Sequence, residues 1–74
     1  MHFTLPELPD AFIELHALLK TGGLVDSGGA GKALVATGVV SVDGTQELRK
    51  TAKIRAGQTV NLPGYTIHVH AATQ

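Results

Sequence analysis

The residues best suited to chemistry are a glycine-rich helix start and a basic group of side chains. Ser27 is followed by Gly28 and Gly29, and Lys32 comes shortly after them. Serine is a favoured N-cap residue, so a helix that begins here presents bare backbone N–H groups at its positively polarised end. The basic group consists of Arg49, Lys50, Lys53 and Arg55. Both features suit an anion such as phosphate.

The segment GGAGK, residues 28–32, invites comparison with the phosphate-binding loop of NTPases. That motif needs a glycine five positions before the Gly31-Lys32 pair and a serine or threonine after it. The chain has Asp26 and Ala33 at those positions. Nucleotide hydrolysis also needs a parallel sheet around the loop. A chain of 74 residues that is predicted to form two helices and a hairpin does not supply such a sheet. We therefore expect no enzymatic activity and no catalytic residues, and a small nucleotide-directed enzyme is the least favoured alternative.

The histidines could in principle bind a metal. His68 and His70 stand two residues apart on an expected strand, so they point to the same side of it. His2 and His16 are distant in sequence, and a third ligand is not evident. A polar strand face that alternates with buried apolar residues explains the pair without a metal. We expect no metal site and no cofactor.

Length and composition predict one small globular domain spanning residues 1–74. Hydrophobic residues make up 43% of the chain and charged residues 16%, which is typical of a folded protein rather than a disordered one. The absence of cysteine excludes disulfides and thiolate chemistry, and it favours a cytoplasmic location. No apolar run approaches the roughly 18 residues of a membrane span, and no signal-peptide pattern is present. No membrane association is expected.

The distribution of charge is more informative than its total. The formal net charge is zero, which argues against the simple equation of a basic protein with nucleic-acid binding. Residues 1–31 contain four acidic and one basic residue, whereas residues 32–74 contain two acidic and five basic residues. The halves are therefore −3 and +3. A local basic surface is possible within a neutral protein.

The first part of the chain should form an extended arm followed by a short helix. Prolines at positions 6 and 9 predict that Met1 to Asp10 is an extended arm or loop, and we expect little chemistry there. Phe12, Leu15, Leu18 and Leu19 recur at helical spacing and predict one buried face. The helix start is ambiguous, because residues 11–13 could be a brief strand before a Glu14 cap. We favour a start at about Glu14 or Leu15 and an end at Gly22-Gly23.

The remainder predicts a second helix and a small antiparallel sheet. Ser27 should begin the helix and Gly38 should end it, with Ala30, Ala33, Leu34 and Thr37 forming the face that packs on the first helix. The glycines near its start suggest either a close approach to a neighbouring backbone or a late helix start. The predicted strands are residues 39–42, 45–48, 53–55, 59–62 and 65–70, and Asp43-Gly44 predicts a tight hairpin turn.

The run GGLVDSGGAGKALVATGVVSVDGTQELRKTAKIRAGQTVNL resembles the S4-type RNA-binding domain, most closely its short stand-alone bacterial members. The more specific elements are LVDSGG with its following Ala-x-Lys spacing, G-x-V-x-V-D-G, R-K-x-x-K, and A-G-Q-T-V in place of the common Gly-Asp. Each element is weak alone, but their order and spacing agree over residues 13–62. The resemblance implies an α+β fold of the α-L type, in which two short helices pack on a small, mostly antiparallel sheet.

The resemblance also implies a non-catalytic, translation-associated protein that binds structured RNA such as rRNA or tRNA. The implied contact residues are Ser27, Gly28, Gly29, Lys32, Arg49, Lys50 and Lys53. Many S4 domains have an arginine after the serine, where this chain has Gly28, so backbone contact to phosphate replaces side-chain readout there. We expect a monomer, with a ribosomal protein as a possible further partner. The alternative is a protein-docking module of the translation machinery that uses the opposed charges of the two halves.

Overall fold

The computed structural model describes residues 1–72, which form two helices and seven short strands. The strands are β1 (His2–Thr4), β2 (Ile13–Glu14), β3 (Ser41–Val42), β4 (Thr45–Gln46), β5 (Lys53–Ile54), β6 (Thr59–Leu62) and β7 (Tyr65–His70). The helices are α1 (Leu15–Thr21) and α2 (Gly28–Ala36). Thr73 and Gln74, which the sequence assigns to the same domain, lie outside the described residues.

Five strands form one sheet in the order β1-β7-β6-β3-β4, and β2 pairs with β5 in a separate ribbon. The pairing is antiparallel except between β1 and β7. Val60 lies opposite Ile67 and Thr59 lies opposite His68. Because side chains alternate along a strand, the first pair faces the core and the second faces away from it. The predicted α+β class with a mostly antiparallel sheet is confirmed.

The hydrophobic core combines the two helices, the apolar face of the sheet and the ribbon. Its buried members come from nearly every part of the fold: Leu5, Leu15, Leu18, Leu19, Val35, Val40, Ala52, Ile54, Val60, Ile67 and Val69. Neither α1 nor α2, the helices of the described range, has the length and hydropathy of a membrane-spanning segment.

Helix α1 begins at Leu15 with Glu14 as its N-cap residue and ends at Thr21 with Gly22 as its C-cap, as predicted. The predicted burial of Phe12 is wrong, since this residue precedes β2 and is 40% exposed. Ile13 pairs with the buried Ile54 of β5 and is itself half-buried. Alternation along the strand then directs Phe12 outward.

Helix α2 follows the Ser27 cap and stops before Gly38, as predicted, but a different face is buried. Of the predicted face, Leu34 is half-buried against the core but Ala30, Ala33 and Thr37 are exposed. Gly31 and Val35 are buried instead. A Cβ atom at Gly31 would lie 2.6 Å from the His16 carbonyl oxygen of α1. The prediction is wrong for three of its four residues because apolar spacing gives no weight to glycine. The missing side chain of Gly31 allows the two helix backbones to come close together.

The N-terminal arm is an integral part of the sheet. Its predicted extended conformation is correct, and β1 adds an edge strand to β7. Leu5 donates its N–H to the His70 oxygen at 2.8 Å, and its side chain is only 2% exposed. Without β1, the outer edge of β7 would present unpaired backbone groups.

The predicted Asp43-Gly44 turn joins β3 to β4. Both residues have positive φ, 50° and 83°, which is the requirement of a type I′ hairpin. The Asp43 carboxylate also accepts the Thr59 N–H at 2.9 Å and thereby connects the turn to β6. β3, β4 and β5 are shorter than predicted, while β6 and β7 match their predicted bounds.

Candidate phosphate-binding surface

The first turn of α1 holds the basic loop between β4 and β5. Glu14 makes no side-chain cap, so the early N–H groups of the helix need other acceptors. The Leu15 N–H donates to the Ala52 oxygen at 2.9 Å, and the His16 N–H donates to the Lys50 oxygen at 3.0 Å. The loop that carries Arg49 and Lys50 is therefore fixed to the start of α1 by backbone bonds.

The same turn also receives the start of α2. Gly31 approaches the His16 backbone, and a Cβ at Gly28 would lie 3.4 Å from Nδ1 of the His16 ring. The His16 Nε2 atom is 3.2 Å from Oε1 of Glu14. Its Nδ1 is buried and has no hydrogen-bond partner among residues 1–72. His16 thus joins the two groups of predicted contact residues.

Sequence spacing gave no indication of this role. His16 organises the surface through its backbone N–H, its backbone carbonyl and the packing of its ring, and a motif search does not detect such contacts.

The start of α2 has the predicted capping geometry. The Ser27 Oγ accepts the Ala30 N–H at 3.1 Å, and the Ser27 carbonyl accepts the Gly31 N–H at 3.0 Å. Gly28 and Gly29 carry the N–H groups that precede these bonds, and helix geometry provides them with no partner inside the helix. Gly29 and Lys32 are exposed. This end of α2 can therefore present amide groups and an ammonium group to an anion.

Arg49 is engaged by a neighbouring carboxylate. Its Nε and one terminal nitrogen donate to the two Glu47 oxygens at 3.1 and 3.0 Å, and its backbone N–H donates to Glu47 at 3.0 Å. The side-chain and backbone hydrogen bonds from Arg49 lower the pKa of Glu47, while the Glu47 carboxylate raises the pKa of Arg49. The Arg49 side chain is still 80% exposed. Because a guanidinium has five N–H donors, its remaining donors are available to a phosphate, but its charge is partly neutralised.

Lys50 and Lys53 are also exposed. Lys53 lines an open depression together with Arg49, Thr51 and Ala52. The basic side chains therefore continue from the loop onto the β2–β5 ribbon.

Two residues next to the ribbon, Phe12 and Arg55, were not among the predicted contacts. The Lys53 Nζ lies 5.0 Å from the centre of the Phe12 ring, and the Arg55 Cζ lies 5.7 Å from it. The outward position of Arg55 was predictable from its alternation with the buried Ile54, but the exposure of Phe12 was not.

His2, His68 and His70 form a cluster on the face of the five-stranded sheet that points away from the core. Their separation in the sequence gave no indication of this cluster. The pairing of β1 with β7 places the His2 ring 5.1 Å from His68 and 4.9 Å from His70, measured between ring centres. His2 Nδ1 lies 2.7 Å from His70 Nε2. Desolvation lowers the pKa of His2, with further contributions from His70, His68 and the N-terminal ammonium. Within the described range, no group of three His, Cys, Asp or Glu residues is arranged to hold a metal ion.

Comparison with known proteins identifies the family. The S4 domain family model matches residues 7–70, which include both helices and the loop between β4 and β5. The chain belongs to the S4 domain family. The predicted resemblance is therefore confirmed.

This S4 domain also has close relatives. It is 48% identical over 59 residues to a protein of Escherichia coli strain K12 named "Putative RNA-binding protein YbcJ", covering 80% of this chain and 84% of the relative. A YbcJ protein of Shigella flexneri has the same identity and coverage.

The solution structure of YbcJ from E. coli is similar to the whole fold. The TM-score is 0.71 with 44% sequence identity, over 95% of this chain and 86% of the other. That structure was described as revealing an αL motif involved in RNA binding. The predicted α-L fold of this chain is thereby confirmed.

Proposed function

We propose that this S4 domain binds structured RNA, mainly through the phosphate backbone. The observation that carries the proposal is the double role of His16, which packs against the start of α2 and holds the loop of Arg49 and Lys50. The amide groups at the start of α2 and the basic side chains of the loop therefore lie on either side of the first turn of α1. The RNA-binding name of the E. coli relative supports the same function.

The arrangement favours recognition of shape over sequence. Double-helical RNA has a major groove too narrow for side chains to read, so proteins contact mostly its phosphates and 2′-hydroxyls. At Gly28, where many S4 domains have an arginine, this chain offers only a backbone amide. We therefore propose low sequence specificity, with Ser27, Gly28, Gly29 and Lys32 contacting one part of the RNA backbone and Arg49, Lys50 and Lys53 contacting another.

Salt dependence tests this mode of binding. If Lys32, Arg49, Lys50 and Lys53 each neutralise one phosphate, the logarithm of the affinity should fall with the logarithm of salt concentration at a slope of about −3 to −4. Fluorescence anisotropy with an RNA hairpin of about 16 base pairs measures this slope. A slope near zero would exclude the phosphate contacts.

The double variant Arg49→Ala/Lys50→Ala tests the position of the surface. We expect weaker RNA binding and a salt slope reduced in magnitude by about 1.4–1.8, with the fold retained because exposed charges contribute little to stability. Lys20→Ala is the matched control, since Lys20 is an exposed cation in the last turn of α1. Equal affinity of the double variant and the control would place the binding surface elsewhere.

A pull-down from cell lysate, with and without nuclease treatment, tests the alternative of protein docking. Partners that are retained after nuclease treatment would favour protein docking over RNA binding.

The proposal extends to the cellular role. The contact groups are amides, lysines and arginines, which bind phosphate but do not place a nucleophile beside a general base. We therefore propose a non-catalytic protein without a cofactor. The lack of cysteine is consistent with a cytoplasmic location. We propose rRNA or tRNA as the structured RNA, bound by a monomer. Crosslinking followed by sequencing of the attached RNA identifies the target directly.

A further inference from the structure

Phe12 is an exposed aromatic ring next to the β2–β5 ribbon, and two cations lie close to it. The Lys53 ammonium and the Arg55 guanidinium lie within 5.0 and 5.7 Å of its centre, and the residue remains 40% exposed. The core side of the ribbon is already filled by Ile13 and Ile54, which pair across it. Phe12 therefore does not complete the core of the domain.

The position of Arg55 is defined by several contacts. Its backbone N–H donates to the Gln58 side chain at 2.7 Å, and its guanidinium reaches the Asp10 carbonyl at 3.5 Å. Cation–π contacts at exposed sites are weak, about 0.5–1 kcal/mol, so an incoming group can share or displace them at low cost. An aromatic ring flanked by cations is the combination that binds single-stranded nucleic acid, because bases stack on the ring while cations contact the neighbouring phosphates.

This cluster is continuous with the proposed phosphate-binding surface. Lys53 lines the same depression as Arg49 and also lies over Phe12. An RNA strand that passes Arg49 and Lys53 is therefore led toward the aromatic ring. Inside a base-paired RNA helix each base is stacked on its neighbours on both sides, so the ring can be used by an unpaired nucleotide and not by the interior of the helix.

We propose that Phe12 stacks on an unpaired base next to the structured part of the RNA, with Lys53 and Arg55 contacting the adjoining phosphates. This inference rests on the proposed RNA-binding function and deepens it, since it defines the substrate as a junction between paired and unpaired RNA. Stacking on Phe12 would give the domain a preference for RNA that has an unpaired base beside a helix. Phosphate contacts to a regular helix do not provide such a preference.

The test compares a blunt RNA hairpin, closed by a non-nucleotide linker so that it has no unpaired base, with the same hairpin carrying a short single-stranded extension. We expect the extension to raise the affinity of the native protein about ten-fold, as one stacked base does. Phe12→Leu should remove this gain without changing the affinity for the blunt hairpin. Phe12→Trp should keep the gain, because indole also stacks. Tyr65→Leu is the matched control, since Tyr65 is an exposed aromatic residue at the start of β7 in the other sheet.

Thermal unfolding of each variant verifies that the fold is intact. If the blunt hairpin binds but the extension adds nothing, or if Phe12→Leu keeps the full gain, the stacking proposal is overturned while the proposed function stands. If neither hairpin binds, the proposed function itself fails.

Discussion

Replacement of Gly31 by alanine should destabilise the domain because of one backbone contact. The added Cβ would lie 2.6 Å from the His16 carbonyl oxygen and 3.3 Å from the His16 carbonyl carbon. Ordinary C–H···O contacts are about 3.3–3.6 Å, so the methyl group must retreat by about 0.7 Å. No rotamer change can relieve a contact with backbone, and the two helices must move apart over the core residues Leu15 and Val35.

The magnitude follows from two opposing effects. Overpacking of this kind costs typically 1–3 kcal/mol, and a contact with rigid backbone belongs at the upper end. Alanine is favoured over glycine inside a helix by about 0.8–1.0 kcal/mol, which offsets part of the cost. The net loss should be about 2 kcal/mol in the free energy of unfolding, out of roughly 4–11 kcal/mol expected for a domain of this size. The melting temperature should fall by about 8–16 °C.

Gly29→Ala is the matched control in the same helix. A Cβ at Gly29 meets only the Ser27 Oγ, at 3.8 Å, so the helix propensity of alanine is not opposed. This variant should be as stable as the native protein or up to about 1 kcal/mol more stable. Circular dichroism during thermal and urea unfolding measures both variants. Equal stability of Gly31→Ala and Gly29→Ala would refute the close helix approach.

Three further predictions concern the loop, the N-terminal strand and the histidine cluster. Glu47→Gln should strengthen binding to an RNA hairpin, because it removes a carboxylate that competes with phosphate for the Arg49 guanidinium; unchanged anisotropy titrations would contradict this. Leu5→Ala should cost about 2–5 kcal/mol in urea unfolding, since Leu5 is a buried core residue; a change below about 0.5 kcal/mol would mean that the N-terminal strand is not docked. The pKa of His2 is lowered from its usual 6.5 in the folded state, so the unfolded chain takes up more protons and stability should decline as the pH falls below that value. His2→Asn should reduce this decline in melting temperature, and an identical pH profile would assign it to other groups.

The pairing of Glu47 with Arg49 has a consequence for binding. The carboxylate orients the guanidinium by two side-chain bonds, so less conformational freedom is lost when a phosphate arrives. It also lowers the local positive potential, which weakens non-specific attraction to RNA. Both effects bear on the proposed binding of structured RNA.

The amino-acid sequence determined the local features of this protein. Ser27 and Gly38 defined α2, Asp43-Gly44 defined the hairpin, and the alternation of residues 65–70 defined β7, because caps, turns and strand faces depend on a few neighbouring residues. The ordered motifs over residues 13–62 also led to the S4 family, which the family model confirms.

Only the tertiary structure decided which residues meet. The docking of β1 on β7 is a backbone pairing between the two ends of the chain, and no local pattern encodes it. The sequence did not predict the buried face of α2, because a search for apolar side chains does not count glycine. Gly31 is buried because it allows close contact between the two helix backbones. Helical spacing predicted Phe12 as a core residue. The pairing of Ile13 with Ile54 directs the Phe12 side chain outward instead. His16 organises the candidate surface through backbone groups that every residue possesses, so its importance comes from its position in the fold and not from its type.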